Sequence, residues 1–120
     1  MRVLADTSVW VEHLRAGDAT LSALLDENLV LAHPFVSGEL ACGNLRNRTT
    51  LLALLGDLPH ATVATQTEAL LFIENHHLMG RGIGYVDVHL LASVALTGDA
   101  RLWTLDRRLA KVASELGLGS

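Results

Sequence analysis

Four carboxylates of this sequence stand where a carboxylate needs a reason. Asp6 follows the apolar run Val3-Leu4-Ala5, and Asp106 follows Arg101 to Leu105, two stretches that read as short strands. Asp87 precedes Leu90, Leu91 and Val94 by three, four and seven residues, so on a helix its side chain lines up with the buried stripe. Glu39 comes three residues after Val36 and one before Leu40, at the border of another apolar face. A lone carboxylate is costly to bury and is normally paired or given a metal ion. Asp6, Glu39, Asp87 and Asp106 are therefore candidates for one shared site that holds a divalent cation. Each acid taken singly has a plainer explanation. Asp6 and Asp106 are well placed to cap helices, Asp87 to complement a helix dipole, and Glu39 to sit in water.

The elements that must position these acids follow from the hydrophobic spacing. After the first strand, Val9, Trp10 and Leu14 begin a helix that breaks at Gly17, and Asp18 caps the next, with Leu21, Leu24 and Leu25 inward. Leu29 to Ala32 reads as a second strand. Pro34 suits the first turn of a helix through Val36, Leu40 and Gly43. Asn44 to Arg48 is a polar break, and Leu51, Leu52, Leu54 and Leu55 carry another helix that ends at Gly56 and Pro59. Ala61 to Ala64 is the candidate third strand, and Thr67 to His77 has helical spacing. The glycine-rich turn Gly80 to Gly84 leads into a helix with Leu90, Leu91, Val94 and Ala95 inside. Arg101 to Leu105 is a fourth strand, and Leu109, Val112, Ala113 and Leu116 mark the last helix. Short apolar strands alternating with helices predict an α/β domain with a parallel sheet, helices on both faces, and a site beyond the carboxyl ends of the strands. Asp6 and Asp106 fall at such ends.

The 120 residues, half of them hydrophobic, suit one domain spanning 1–120 with a sizeable core. The formal charge of −4 argues against a nucleic-acid binder unless clustered acids hold a cation that reverses the local field. Eight of the nine basic residues are arginine, the side chain that grips phosphate in two places, although composition bias explains that equally well. The lone Cys42 forms no internal disulfide and fits a reducing compartment. An acid at position 6 interrupts any signal-peptide core, and no apolar run approaches the roughly 20 residues of a membrane span. The expectation is a cytoplasmic protein away from membranes.

Four local words surround the acids: Leu4-Ala5-Asp6-Thr7-Ser8-Val9-Trp10, Val36-Ser37-Gly38-Glu39-Leu40-Ala41, Gly82-Ile83-Gly84-Tyr85-Val86-Asp87-Val88-His89-Leu90-Leu91-Ala92, and Leu102-Trp103-Thr104-Leu105-Asp106. Their order and spacing resemble a PIN domain, and within that family a VapC-type toxin, over nearly the whole chain. The resemblance implies a three-layer α/β/α sandwich around a mainly parallel sheet of four or five short strands. The fifth, C-terminal edge strand is expected to be absent or rudimentary, because Leu116 to Ser120 is short. It implies a metal-dependent endoribonuclease, with Asp6, Glu39, Asp87 and Asp106 as catalytic metal ligands and Ser8 and Thr104 as supporting hydroxyls. It also implies a homodimer held in check by a cognate antitoxin.

The residues suit that chemistry. Mg²⁺, with Mn²⁺ as the alternative, prefers oxygen ligands, lowers the pKa of water and offsets charge on an attacked phosphate. Ser8 and Thr104 can aim carboxylates by hydrogen bonding. Hydrolysis would leave a 5′-phosphate and a 3′-hydroxyl, as the resemblance implies. Arg46, Arg48 and Arg81 lie in polar or glycine-rich segments and are candidate RNA contacts, with plain solvated charge an equal alternative.

Other residues are not promoted. Asp99 after Gly98 reads as a turn residue. His76 and His77 diverge on a helix, and His89 is off the face of Asp87. Cys42 reads as a small core residue, Trp10 and Trp103 as core, and Gly80 to Gly84 as a turn without a dinucleotide fingerprint. Three rival functions stay open. An Asp-nucleophile phosphatase would want an acid where Ser8 stands. A phospho-receiver would want a late-strand lysine, whereas the only lysine, Lys111, falls in the last predicted helix. An RNA-processing PIN nuclease without an antitoxin fits the same residues.

Overall fold

The computed structural model describes residues 1–120. Strand β1 (Arg2–Ala5) lies between β2 (Val30–Leu31) and β3 (Ala100–Trp103), and both pairings are parallel. Val3, Leu4 and Ala5 are all buried, and successive strand residues point to opposite faces. Both faces of the central strand are therefore covered, as a parallel sheet requires.

The cover comes from seven helices: α1 (Thr7–Ala16), α2 (Ala19–Asp26), α3 (Pro34–Ala41), α4 (Arg48–Asp57), α5 (Gln66–His76), α6 (Tyr85–Thr97) and α7 (Arg107–Glu115). Their starts follow local chemistry. Asp18 accepts the Leu21 N–H at 2.9 Å and caps α2, Pro34 opens α3, and Thr65 with Glu68 forms a reciprocal capping box at α5. Every residue of α6 from Val88 to Val94 is buried, which makes it the internal helix of the fold. The expected inward Ala95 is exposed, one step past that buried stretch.

The sheet has three strands where four or five were expected. Ala61 to Ala64 is not a strand. It touches the sheet edge through a single bridge, Ala32 to His60, closed by Ala32 N–H to Pro59 O and Ala61 N–H to Ala32 O. Beyond it, side chains of α6 take the donors a ladder would use: Thr62 N–H goes to Thr97 Oγ1 at 2.9 Å and Ala64 N–H to Ser93 Oγ at 3.4 Å. The C-terminal edge is likewise one bridge, Leu102 to Gly119. Cys42 is another correction. It caps the end of α3 and is exposed, being two residues past Leu40 and so turned off that helix's buried face.

Candidate active site

The parallel pairing of β1 with β3 runs one step beyond the strands, since the Asp6 N–H donates to Trp103 O at 3.0 Å. The two strand ends thus hold Asp6 and Thr104 side by side. Asp6 is buried, at 7% exposure, and both its carboxylate oxygens accept hydrogen bonds. Ser8 Oγ donates to Oδ1 and Thr104 Oγ1 donates to Oδ2, while the Val9 N–H reaches Oδ1 at 3.3 Å. Both hydroxyls are fixed in turn. Ser8 Oγ accepts the Leu105 N–H and Thr104 Oγ1 accepts the Asp106 N–H, each at 3.0 Å. Ser8, Thr104 and two acids therefore form one hydrogen-bonded cluster.

The plain capping explanation also holds. Asp6 is the N-cap of α1, and Asp106 caps α7 by accepting the N–H groups of Arg108 and Leu109 on Oδ1 at 2.9 and 3.1 Å. Asp87 Oδ2 accepts the Gly84 N–H at 3.0 Å in the first turn of α6. Capping explains how each acid is oriented and does not explain why they converge. Hydrogen bonds link Asp6 to Asp106 through Thr104, and the charges of the other acids reach Asp87. Burial pushes its carboxyl above the usual aspartate range, against the Gly84 hydrogen bond, and the charges of Asp106, Asp6 and Glu39 push it further the same way. Glu39 is exposed on α3, and its Oε1 accepts the Thr7 hydroxyl at 2.8 Å, which ties it to the residue after Asp6.

The donor set, four carboxylates with nearby hydroxyls and no thiolate or imidazole among them, fits a hard divalent cation. As the side chains lie, no three acids, histidines or cysteines close on one point at ligating distance. Each acid is held in place by N–H or O–H donors. The excess negative charge sensed by Asp87 is what a cation would relieve.

Arg46 and Arg48 are exposed, and Arg48 Nη1 donates to Gly43 O at 3.2 Å. Arg46 lines a cleft of about 390 Å³ with Arg15, Asn44 and Asn47. Arg81 is not a free cation: it pairs with Glu115 at 2.6 Å and is half-buried. Asp99 occupies a turn with φ of 38° between α6 and β3. His89 is buried, and Trp10 lies in the core with Trp103 packed partly against it.

Two neighbours of the acids are not apparent from the sequence. Thr7 looks like a helix-start residue, and nothing local links it to Glu39. Arg108 lies across Gly82, where a Cβ would stand 2.9 Å from its Cδ. With φ of 80°, Gly82 suits only glycine well, and it lets the arginine beside Asp106 rest on the turn that precedes Asp87. A glycine between Arg81 and Ile83 is the sole trace of this in the sequence.

The chain matches the PIN domain family model over residues 3–115. It is 48% identical over 116 residues to Ribonuclease VapC32 of Mycobacterium tuberculosis strain CDC 1551 / Oshkosh, which covers 97% of this chain and 94% of that protein. The protein of the same name from strain ATCC 25618 / H37Rv gives the same identity and coverage.

Proposed function

The chain belongs to the PIN-domain family, and from that premise we propose that it is a metal-dependent endoribonuclease, the toxin of a toxin–antitoxin pair, hydrolysing RNA phosphodiesters at Asp6, Glu39, Asp87 and Asp106. The observation that carries the reading is the hydrogen-bonded cluster in which Ser8 and Thr104 hold Asp6 beside Asp106 at the carboxyl edge of the sheet, with Thr7 tying Glu39 to the residue after Asp6. Near-full-length identity to a ribonuclease supports the choice of RNA.

Asp6, Asp87, Asp106 and Glu39 would hold Mg²⁺, with Mn²⁺ the alternative. The cation, when bound, makes water more acidic and offsets negative charge on the phosphate. The rest is done by the chain. Ser8 and Thr104 each fix one oxygen of Asp6; Oδ1 also takes the Val9 N–H, and Oδ2 keeps a lone pair for a cation. The Gly84 N–H fixes Asp87 through Oδ2 and leaves Oδ1 free, the helix N–H groups fix Asp106 through Oδ1 and leave Oδ2 free, and Thr7 steadies Glu39. Such preset geometry removes reorientation from the reacting step. Arg46 and Arg48 supply exposed positive charge for the RNA backbone, with Arg81 contributing only if it leaves Glu115.

The direct experiment is to incubate purified chain with RNA, with and without Mg²⁺, and with chelator. Cleavage that needs the metal and disappears in Asp6→Asn is expected. Cleavage at the parent rate in chelator or in Asp6→Asn would overturn the assignment.

The cognate antitoxin would cover the acids, bringing a basic side chain to them. Co-purified complex should be inactive, and full activity in the complex would refute inhibition at this site. Self-association is proposed through α4 and α5. Leu51 and Leu55 turn into the core, but Leu54, Leu70 and Leu71 stay exposed, and a cleft of about 380 Å³ lies among Thr67, Leu70, Leu71, Ile73 and Glu74. Light scattering at micromolar concentration should give twice the chain mass, and a monomer would refute it. No helix is long and apolar enough to cross a membrane, and a cytoplasmic place of action is proposed with the function.

A further inference from the structure

Of the five Phe, Trp and Tyr residues, Trp10 is buried and Phe72 and Trp103 are packed partly against the core. The other two, Phe35 and Tyr85, are exposed at 36% and 45%, and both close on His89. The ring of Phe35 lies 4.8 Å from that of His89 at 69°, and the ring of Tyr85 4.6 Å away at 89°. The group joins α3 to α6, the helices that carry Glu39 and Asp87. Phe35 is four residues before Glu39 and so shares its face of α3, about 6 Å along the axis. Tyr85 opens α6 two residues before Asp87. His89 itself is 4% exposed, and its Nδ1 is buried with no hydrogen-bond partner, an arrangement that costs stability and calls for a use.

Taking the nuclease reading as given, we infer that Phe35, His89 and Tyr85 form a stacking subsite for one unpaired nucleobase beside the carboxylates. An unpaired base offers a π-face and a hydrogen-bonding edge. The two exposed rings supply the stacking surface, and His89, on which both rest edge to face, sets their placement. A chain with a formal charge of −4 has little general attraction for RNA, so a share of its grip must come from contacts other than charge.

The test uses a short single-stranded RNA that the chain cuts, made again with one abasic position at a time around the cut. For the parent with Mg²⁺, one abasic position next to the cut should raise KM about tenfold, within the range of base–aromatic stacking, and leave kcat nearly unchanged. Tyr85→Leu and Phe35→Leu should raise KM for intact RNA by a similar factor, and the abasic penalty should then vanish. Tyr85→Phe, which keeps the ring, should stay within about twofold of the parent. Fluorescence anisotropy of the same RNAs on the Asp6→Asn protein should follow the same order without cleavage. The subsite is overturned if the abasic penalty persists in Tyr85→Leu, or if both RNAs lose equally, as a structural role would produce. It is also overturned if RNA binding is untouched and only affinity for a protein partner falls. A parent that cuts no RNA would sink the nuclease reading, while anisotropy would still decide the subsite, equal binding of intact and abasic RNA overturning it.

Discussion

Thr104 and Asp6 are ninety-eight residues apart in sequence, yet the hydroxyl of Thr104 donates directly to Oδ2 of the Asp6 carboxylate. The same hydroxyl accepts the Asp106 N–H, so one small side chain sets the aim of one acid and the backbone of another. Loss of a partner that orients a metal-binding group typically costs 10- to 100-fold. Thr104→Val should lower kcat/KM by about that factor, ~10- to 100-fold, and raise the Mg²⁺ needed for half-maximal rate. Thr104→Ser should stay close to the parent. A valine variant with parent kinetics at limiting Mg²⁺ would show that the hydroxyl has a structural role only.

Metal and charge repulsion are coupled at Asp87. Its proton affinity is raised in the folded chain by burial first and then by three neighbouring acids, so chelated protein should gain stability from this group as pH falls from neutral through its folded-state pKa toward the ordinary aspartate value. Asp87→Asn should remove that gain and raise the melting temperature of chelated protein at pH 7.5. Saturating Mg²⁺ should stabilise the parent, by about 2.7 kcal/mol at a hundredfold excess over Kd, and stabilise Asp87→Asn much less. Thermal melts of both proteins, with Mg²⁺ and with chelator, decide the matter; equal shifts would place the cation elsewhere.

Acid sensitivity should come from His33. Its ring is fully buried, Nδ1 accepts the Phe35 N–H at the start of α3, and Nε2 lies 3.0 Å from Ser93 Oγ. Burial, and then neighbouring His89, hold its pKa down to about 4. The unfolded chain therefore takes up a proton that the folded one refuses. Stability from this group is intact above the ordinary histidine value and is lost as pH falls from about 6.5 to about 4. Between pH 7.5 and pH 5 the loss should be about 2 kcal/mol. Denaturant melts across that range should show a shallower fall in His33→Gln than in the parent. Parallel curves would exonerate His33.

The arginines should separate by their partners. Replacing Arg46 and Arg48 with alanine should weaken RNA binding at low salt and flatten its salt dependence, the log–log slope falling by about 0.7 for each phosphate that is no longer neutralised. Arg81→Ala should do less, because its charge is already matched by Glu115. Titrations at several ionic strengths test this, and an unchanged slope in the double variant would reduce both arginines to ordinary solvated charge.

Ser8 and Thr104 stand out in the sequence only through the family resemblance, and Glu39 by its place at the border of an apolar face. Asp6, Asp87 and Asp106 stand out by short-range pattern, after a strand or in line with a helix stripe. The strands β1, β2 and β3 are legible for the same reason. What local pattern cannot carry is competition and distance. Ala61 to Ala64 has a strand's hydropathy, but Thr97 and Ser93 on α6 capture its amides. Arg81 looks free in the sequence because Glu115 lies thirty-four residues on. The links from Thr7 to Glu39 and from Arg108 to Gly82 likewise cross the fold, and no spacing rule within one element reveals them.

The central strand comes first in sequence and is completed last. β1 begins at Arg2, but its register with β3 starts at Ala100, and of the two hydroxyls that hold Asp6 the one from Thr104 arrives only then. A chain still being synthesised therefore carries Asp6 for most of translation with neither Thr104 nor Asp106 beside it. Pairings this distant in sequence are also slow to close. The order of the message therefore delays the site: Asp6, Thr104 and Asp106 come together only after the last fifth of the chain has emerged and docked.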